Sequence, residues 1–254
     1  MDNLAPVPLG IIENNNMDLT PVPIGSDRNI HSIGYFDSTG NDLRDFPEDS
    51  LKIIIPCGKI KSLDLSRFTK LEVLICSGNK ITELKNLPMS LRELDCSNNH
   101  LSSLDNLPPN LIKLDCSFNP IFSLNNLPNS LQELKCCKIC ISSLDVPDSL
   151  QILVCEDNSI LSLDNLPITL VRLNCHKNKI SSLDNLPEGL LYLICSKNEI
   201  SSLDKLPESL TFLRCSENKI SSLDNLPNGL TQLRCDNELV DSLKIKYPNV
   251  SIEN

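Results

Sequence analysis

The chain of 254 residues has no tryptophan, and aromatic residues make up only 4% of it. A compact globular core of this length normally uses more large rings, so the composition disfavours an ordinary globular domain. No apolar run approaches the ~20 residues of a membrane span, and we expect no membrane-spanning segment. The formal net charge of −10 disfavours attraction of the whole surface to nucleic acid or an anionic membrane, although a local basic patch remains compatible with it.

Sequence motifs of known active sites are also missing. The chain contains no phosphate-binding loop, no dinucleotide-binding glycine motif, no HExxH zinc motif and no nucleophile elbow around a serine. Its three histidines, His31, His100 and His176, stand at unrelated positions. We therefore expect no enzyme activity, no catalytic residues and no cofactor.

The first residues lack the basic segment and apolar stretch that mark a secretory signal. We therefore expect a cytoplasmic location. In a reducing compartment the twelve cysteines are free thiols rather than a disulfide framework.

One pattern, L-x-x-L-x-C-S-x-N-x-I-S-S-L-D-N-L-P-x-S, recurs almost every twenty residues. One unit is a residue short, because residues 145–147 read D-V-P where other units read D-N-L-P. A period of this length predicts a solenoid whose units stack on one another. The first leucine of the pattern falls at Leu71, Leu91, Leu111, Leu131, Leu150, Leu170, Leu190, Leu210 and Leu230.

Each unit has two legs. The x-L-x-C segment alternates with period two, which predicts a short strand with leucine and cysteine pointing inward. The leucine–proline segment returns the chain on the other side, and proline favours an extended or polyproline II conformation there. We predict a solenoid with a curved parallel β-sheet on the concave face, an extended convex side and little helix.

The pattern resembles the leucine-rich repeat L-x-x-L-x-L-x-x-N-x-L over about residues 51–243. Its short L-P-x-x-L form is similar to the repeats of secreted bacterial effectors of the YopM and IpaH type. It also resembles leucine-rich-repeat proteins of giant amoebal viruses, with cysteine where leucine is usual. The IpaH type carries a ligase domain after its repeats, and we expect none in this protein. The resemblance implies a non-enzymatic protein-interaction module, and its effector form implies an adaptor or modulator of host proteins in the host cytoplasm.

The sequence divides into three parts. Residues 1–45 are rich in proline, glycine and asparagine, and we interpret them as a loosely ordered N-terminal arm or cap. Residues 46–236 form the solenoid, with a degenerate first unit at 51–70. Residues 237–254 form a C-terminal cap: a short helix begun by an Asn or Asp cap and ended by Pro248, then a last strand.

Nine cysteines stand at equivalent positions of successive units. Parallel side chains would lie ~4.8 Å apart, whereas a disulfide needs Cβ atoms ~3.8 Å apart and zinc needs four converging ligands. We therefore predict small core residues and no metal site. These cysteines are Cys76, Cys96, Cys116, Cys136, Cys155, Cys175, Cys195, Cys215 and Cys235.

Three further polar or irregular features have structural interpretations. Cys137 and Cys140 form a lone C-x-x-C in the short unit, where Ile139 replaces the expected asparagine, and we interpret this as an irregular repeat with a partly exposed thiol. The asparagine column, from Asn79 to Asn218, is expected to bond to turn backbone groups of adjacent coils. The Asp and Ser residues of the return leg are expected to form local bonds rather than bind Ca²⁺.

Outward strand positions vary between units, as a binding surface requires. The first half of this face mixes charges and includes the adjacent Asp95 and Asp115. From Leu170 onward the outward positions carry three arginines and no acid, together with Tyr192 and Phe212. Arginine and aromatic residues are enriched in interface hot spots, which favours a protein partner. The alternative is a structural or nucleic-acid-contacting protein that uses these arginines. The predicted partner site comprises Ile152, Val154, Arg172, Asn174, Tyr192, Ile194, Phe212, Arg214, Gln232 and Arg234.

Overall fold

The computed structural model describes residues 30–32, 43 and 46–253. Within them, twelve strands form one sheet whose spatial order is the order along the chain, and every neighbouring pair is parallel. The strands are β1 (Ile30–Ser32), β2 (Lys52–Ile54), β3 (Val73–Ile75), β4 (Glu93–Asp95), β5 (Lys113–Asp115), β6 (Glu133–Lys135), β7 (Ile152–Val154), β8 (Arg172–Asn174), β9 (Tyr192–Ile194), β10 (Phe212–Arg214), β11 (Gln232–Arg234) and β12 (Ser251–Glu253).

Equivalent residues of successive coils stack directly, because each strand pairs with the next in register. Leu74, for example, pairs with Leu94, which pairs with Leu114. From β2 onward the middle residue of every strand is buried, while the first and third residues point to the other face. This is the predicted period-two strand.

The core is one continuous column of leucine, isoleucine and cysteine. In the coil that begins at Leu71, the side chains of Leu74, Cys76 and Ile81 are all completely buried. At the N-terminal end Phe46 and Phe68 pack edge to face, with ring centroids 6.4 Å apart. A single coil cannot enclose such a core, so burial depends on the stacked neighbours.

The return legs contain no helix between residues 46 and 236. In the regular units the proline carbonyl accepts a hydrogen bond from the amide of the leucine three residues later, as between Pro88 and Leu91 at 3.0 Å. This turn leads the chain into the next strand. The L-P-x-x-L spacing thus ends the extended leg, and the prediction of little helix is confirmed.

The described C-terminal segment consists of helix α1 (Asn237–Lys246) and strand β12. The expected capping bond is not formed, because the Asp236 carboxylate accepts from the amide of Glu217 instead of from the helix. Tyr247 follows the helix and donates its hydroxyl to the carbonyl of Asp224 at 2.7 Å. Strand β12 then extends the sheet beside β11.

Most of the predicted arm, residues 1–45, lies outside the described residues. Of it, only 30–32 and 43 are described, and residues 30–32 pair with β2 as a further strand. The division into arm, solenoid and C-terminal cap stays a prediction.

Candidate partner-binding face

The first and third residues of the strands point away from the core. They form two columns on the side of the sheet that we call the concave face. From β7 to β11 the first column reads Ile152, Arg172, Tyr192, Phe212 and Gln232. The second column reads Val154, Asn174, Ile194, Arg214 and Arg234.

Four charged residues on the N-terminal half of this face neutralise each other in two pairs. Lys113 pairs with Glu93 at 3.3 Å across two strands, and Lys135 pairs with Glu133 at 3.9 Å within one strand. Asp95 and Asp115 stack in register in the second column and form no ion pair within residues 46–253. Lys135 stands beside Asp115 in the second column, and its charge acts to lower the pKa of Asp115, so this pair of carboxylates is only partly compensated.

These two carboxylates are held by local backbone bonds. The amide of Ser97 donates to Asp95 at 3.0 Å, and the amide of Ser117 donates to Asp115 at 3.0 Å. Burial raises the pKa of Asp115 above its ordinary value, and the charge of Asp95 raises it as well. The pair thus concentrates negative charge in a partly desolvated place.

Four side chains on the C-terminal half form a continuous stack, which we call the arginine–aromatic stack. The Cζ of Arg172 lies 4.7 Å from the centroid of the Tyr192 ring. The rings of Tyr192 and Phe212 have centroids 5.8 Å apart at an interplanar angle of 31°. The Cζ of Arg214 lies 5.4 Å from the centroid of the Phe212 ring. Cation–π contacts and ring packing fix the rotamers of all four side chains.

Neither arginine of the stack forms an ion pair with the part of the chain that the structure describes. The neighbouring Arg234 does pair, with Glu253 at 2.8 Å. The Nε of Arg214 is buried and has no hydrogen-bond partner among the described residues. Burial lowers the pKa of Arg214, and the adjacent Arg234 lowers it further. A buried donor without a partner is costly to the folded chain.

The structure corrects two of the predicted site residues. Ile194 is only 7% exposed, and Asn174 is also 7% exposed. Both lie in the second column, where strands ~4.8 Å apart bring long neighbours such as Arg214 beside shorter side chains. Their expected exposure was wrong, so neither presents a contact surface.

Asn174 is also occupied within the chain. Its Nδ2 donates to the carboxylate of Glu156, and its Oδ1 accepts from the amide of His176 at 3.1 Å. It therefore positions the turn after β8 rather than forming the polar margin of a patch. Of the remaining predicted residues, Gln232 is exposed and the others are half-buried on the concave face, namely Ile152, Val154, Arg172, Tyr192, Phe212, Arg214 and Arg234.

All nine ladder cysteines are buried free thiols. Most of them donate to the backbone carbonyl of the third residue of the following strand, as Cys96 does to Asp115 at 3.4 Å and Cys175 to Ile194 at 3.4 Å. Burial raises the pKa of Cys175 to about 12. The prediction of a core role is confirmed, but the sequence analysis missed the S–H···O bonds that link successive coils.

The Cys137–Cys140 pair lies in the short unit. Cys140 is exposed, whereas Cys137 is half-buried and burial raises its pKa to about 11. A thiol with a raised pKa is mostly protonated at neutral pH and is a weak nucleophile. Among the described residues, no group of three or more His, Cys, Asp and Glu side chains is arranged to hold a metal ion.

The asparagine column bonds to backbone groups of two adjacent coils, as predicted. The Oδ1 of Asn99 accepts from the amide of Ile81 at 3.0 Å, while its Nδ2 donates to the carbonyls of Cys76 and Cys96. Ile139 interrupts this column and is itself fully buried. The return-leg aspartates bond locally, as the amide of Asp204 does to the hydroxyl of Ser202.

A recess of about 270 Å³ lies on the return-leg side, where the short unit departs from the others. Its lining includes Asn126, Asn129, Asp145 and Asp148. It is open and mostly polar, and it is remote from the strand residues of the concave face. We assign it no role in binding.

The sequence matches no protein-family model and no curated protein. Solved structures do match. YopM from Yersinia enterocolitica WA-314 is 36% identical over 73% of this chain, with a TM-score of 0.57. The functional domain of InlJ from Listeria monocytogenes, which includes a cysteine ladder, is also 36% identical over 73% of this chain, with a TM-score of 0.65. The fold is a leucine-rich-repeat solenoid.

The match covers part of each known protein. This chain spans 47% of the YopM structure and 44% of the InlJ structure, so less than half of either. A second YopM structure, a leucine-rich effector protein from Yersinia pestis, is 25% identical over 74% of this chain and 66% of that one, with a TM-score of 0.51. The expected similarity to YopM-type repeats is confirmed, whereas the similarity to IpaH-type and amoebal-virus proteins stays a prediction. No described helix is long and apolar enough to cross a membrane.

Proposed function

We propose that this chain binds a protein partner through the C-terminal half of its concave face, and that binding rather than catalysis is its activity. The observation that carries the proposal is the arginine–aromatic stack, with two half-exposed rings between two arginines that form no ion pair within residues 46–253. Gln232 and Arg234 extend the surface toward β12, and Ile152 and Val154 extend it toward the centre.

The stack has the composition and order of an interface hot spot. Tyrosine, arginine and other aromatic residues carry most of the binding energy in alanine scans. Because the rings and guanidinium groups already pack on one another, little side-chain entropy remains to be lost on binding. A partner would therefore gain contact area at low conformational cost.

The similarity to YopM supports a further proposal about the setting. We propose that the chain acts as an adaptor or modulator of host proteins, in the host cytoplasm. The support is the similarity to a leucine-rich effector protein and the twelve free cysteines, which suit a reducing compartment. Intermolecular or internal disulfides in chain isolated from cells with thiols blocked would contradict this location.

Nucleic acid is the less favoured partner. A phosphate backbone running along the face would meet Asp95 and Asp115 as well as the arginines, and the net charge of the chain is −10. Nucleic-acid binding also requires a steep loss of affinity with salt. A protein segment that packs on Tyr192 and Phe212 does not.

Site-specific photocrosslinking tests the proposal. A photoreactive phenylalanine analogue replaces Tyr192 in one variant and Ile168, an exposed residue outside the strands, in a control variant. We expect a discrete protein adduct in lysate of the source cell or its host from position 192 alone. Adducts of equal yield from both positions, or from position 168 alone, would assign binding to another surface.

A further inference from the structure

The concave face carries two charge clusters of opposite sign whose members form no ion pair within residues 46–253. Asp95 and Asp115 form the acidic cluster on β4 and β5, and Arg172 and Arg214 form the basic cluster on β8 and β10. The other charged residues between them pair with each other, since Lys113 contacts Glu93 and Lys135 contacts Glu133. The face is therefore acidic toward its N-terminal end and basic toward its C-terminal end along the solenoid axis.

Half-buried apolar residues separate the two clusters. Ile152 and Val154 form the outward positions of β7, and no charged side chain stands on that strand. Asp115 and Arg214 lie in the same column and are five strands apart, a distance of ~24 Å at the usual strand spacing. An extended peptide spans ~24 Å with about seven residues.

We infer that the partner presents an extended segment with acidic residues for Arg172 and Arg214, a basic residue for Asp95 and Asp115 about seven positions from the acid at Arg214, and apolar residues between them. This inference rests on the proposed function, because it assumes that the concave face is the binding surface. It adds the chemistry of the partner and the position in which the partner lies.

The polarity of the face selects against other occupants. A uniform polyanion would be attracted at the arginines and repelled at the aspartates, and a uniform polycation the reverse. Arg172 and Arg214 form no ion pair within residues 46–253, and a carboxylate matches a guanidinium through paired hydrogen bonds. The rings of Tyr192 and Phe212 then pack against the apolar part of the segment.

The test is selection of a displayed library of random twelve-residue peptides on the purified full chain. Two neutralised variants are used in parallel, Arg172→Gln with Arg214→Gln and Asp95→Asn with Asp115→Asn. Asparagine suits the latter sites because Asn174 occupies the equivalent position of β8 and accepts the same type of turn bond. Urea unfolding of each variant establishes that it is folded.

We expect the intact chain to enrich peptides with acidic and basic residues about seven positions apart. The arginine variant should lose the preference for the acid alone, and the aspartate variant the preference for the base alone. A selected peptide should bind each variant about tenfold more weakly, because a charge-assisted contact is lost. Enrichment of peptides with one sign of charge, or enrichment that neither variant alters, would overturn the inference.

A third variant separates this inference from the proposed function. If selected peptides lose binding to Tyr192→Ala with Phe212→Ala but show no charge order, the binding face stands and the polarity inference falls. If they bind that variant unchanged, or if no peptide is enriched, both fall. Sedimentation of the chain alone must show a monomer, because a dimer that the arginine variant abolishes would make a second copy the occupant.

Discussion

Asparagine and cysteine occupy buried positions in nearly every coil, and each uses its polar atoms on the backbone. The amide of Asn99 satisfies one N–H and two carbonyls in two coils, and it contacts the carbonyl of Ser97 at 3.1 Å in addition. The thiol of Cys96 reaches the carbonyl of Asp115. These positions recur because the solenoid leaves backbone groups at its turns that the sheet does not pair.

Asn99→Ala should therefore cost about 2–4 kcal/mol in the free energy of unfolding, since several buried backbone groups lose their partner. Urea denaturation monitored by circular dichroism measures this cost. Asn125→Ala provides the control, because Asn125 is exposed and its side chain forms no bond within residues 46–253. Equal, small effects of both substitutions would show that the column contributes little.

Asp115→Asn should stabilise the chain at pH 7 by about 0.2–1 kcal/mol, because it removes a like-charge cross-strand pair. The pKa of Asp115 is raised in the folded state, mainly by burial. A raised carboxyl pKa means that the wild-type chain is most stable below the unfolded pKa and loses stability as the pH rises through the folded pKa.

The difference in unfolding free energy between Asp115→Asn and the wild type should accordingly have its full value at pH 7 and vanish near pH 3. Asp164→Asn is the matched control with the opposite sign, because the Ser162 and Asn185 side chains lower the pKa of Asp164. If the first substitution is destabilising at neutral pH, the description of the acidic cluster is wrong.

At the scale of elements, the cysteine ladder predicts a sharp division of reactivity. Cys57 and Cys140 are exposed, whereas the nine ladder cysteines are buried with raised pKa values. In native chain a thiol reagent followed by peptide mass spectrometry should label the two exposed cysteines first and the ladder only after denaturation. Rapid native labelling of most ladder positions would contradict the assigned core.

Because Ile139 interrupts the asparagine column, we predict weaker hydrogen bonding between the two coils that meet there. In regular coils an asparagine accepts from an amide of the preceding coil, as Asn119 does from Leu101 at 2.9 Å. The amide of Ile121 has no such acceptor within residues 46–253, because Ile139 replaces the asparagine. Hydrogen exchange of that amide should be at least about tenfold faster than exchange at Leu101 or Ile160. Equal protection of the three amides would exclude weaker hydrogen bonding here.

The sequence predicts the strands better than it predicts the candidate binding site. The twenty-residue period placed every strand from β3 to β11, because alternation of leucine and cysteine has only one register that buries both. The period could not predict that Ile194 and Asn174 are buried, because their burial depends on side chains twenty residues away in neighbouring strands. It also missed the left-handed residue three positions after each of the strands β3 to β10, although Gly78 and Asn98 stand at that position and tolerate a positive φ. The ion pairs between charged residues of the concave face could not be predicted either, because they depend on side-chain rotamers that the repeat period does not determine.

At the scale of the whole molecule, the constant core provides stability, and the variable outer columns provide the surface for recognition. The leucine, asparagine and cysteine columns hold the coils together, while the concave face differs from strand to strand. Substitutions of Tyr192 and Phe212 on that face should alter binding and leave stability nearly unchanged. The net charge of −10 also affects recognition by the whole molecule. A chain with this net charge attracts an acidic segment only where arginines are locally unpaired.

The most direct measurement is calorimetric binding of the crosslinked partner, once purified, to the intact chain, to Tyr192→Ala and Phe212→Ala, and to the control Leu161→Ala on the return leg. We expect each aromatic substitution to weaken binding by about 2 kcal/mol or more, as for interface hot spots. Leu161→Ala should have no effect, and all three variants should unfold at nearly the wild-type urea concentration. Unchanged affinity after joint loss of Tyr192, Phe212 and Arg214, in a chain that remains folded, would contradict the assignment of the concave face.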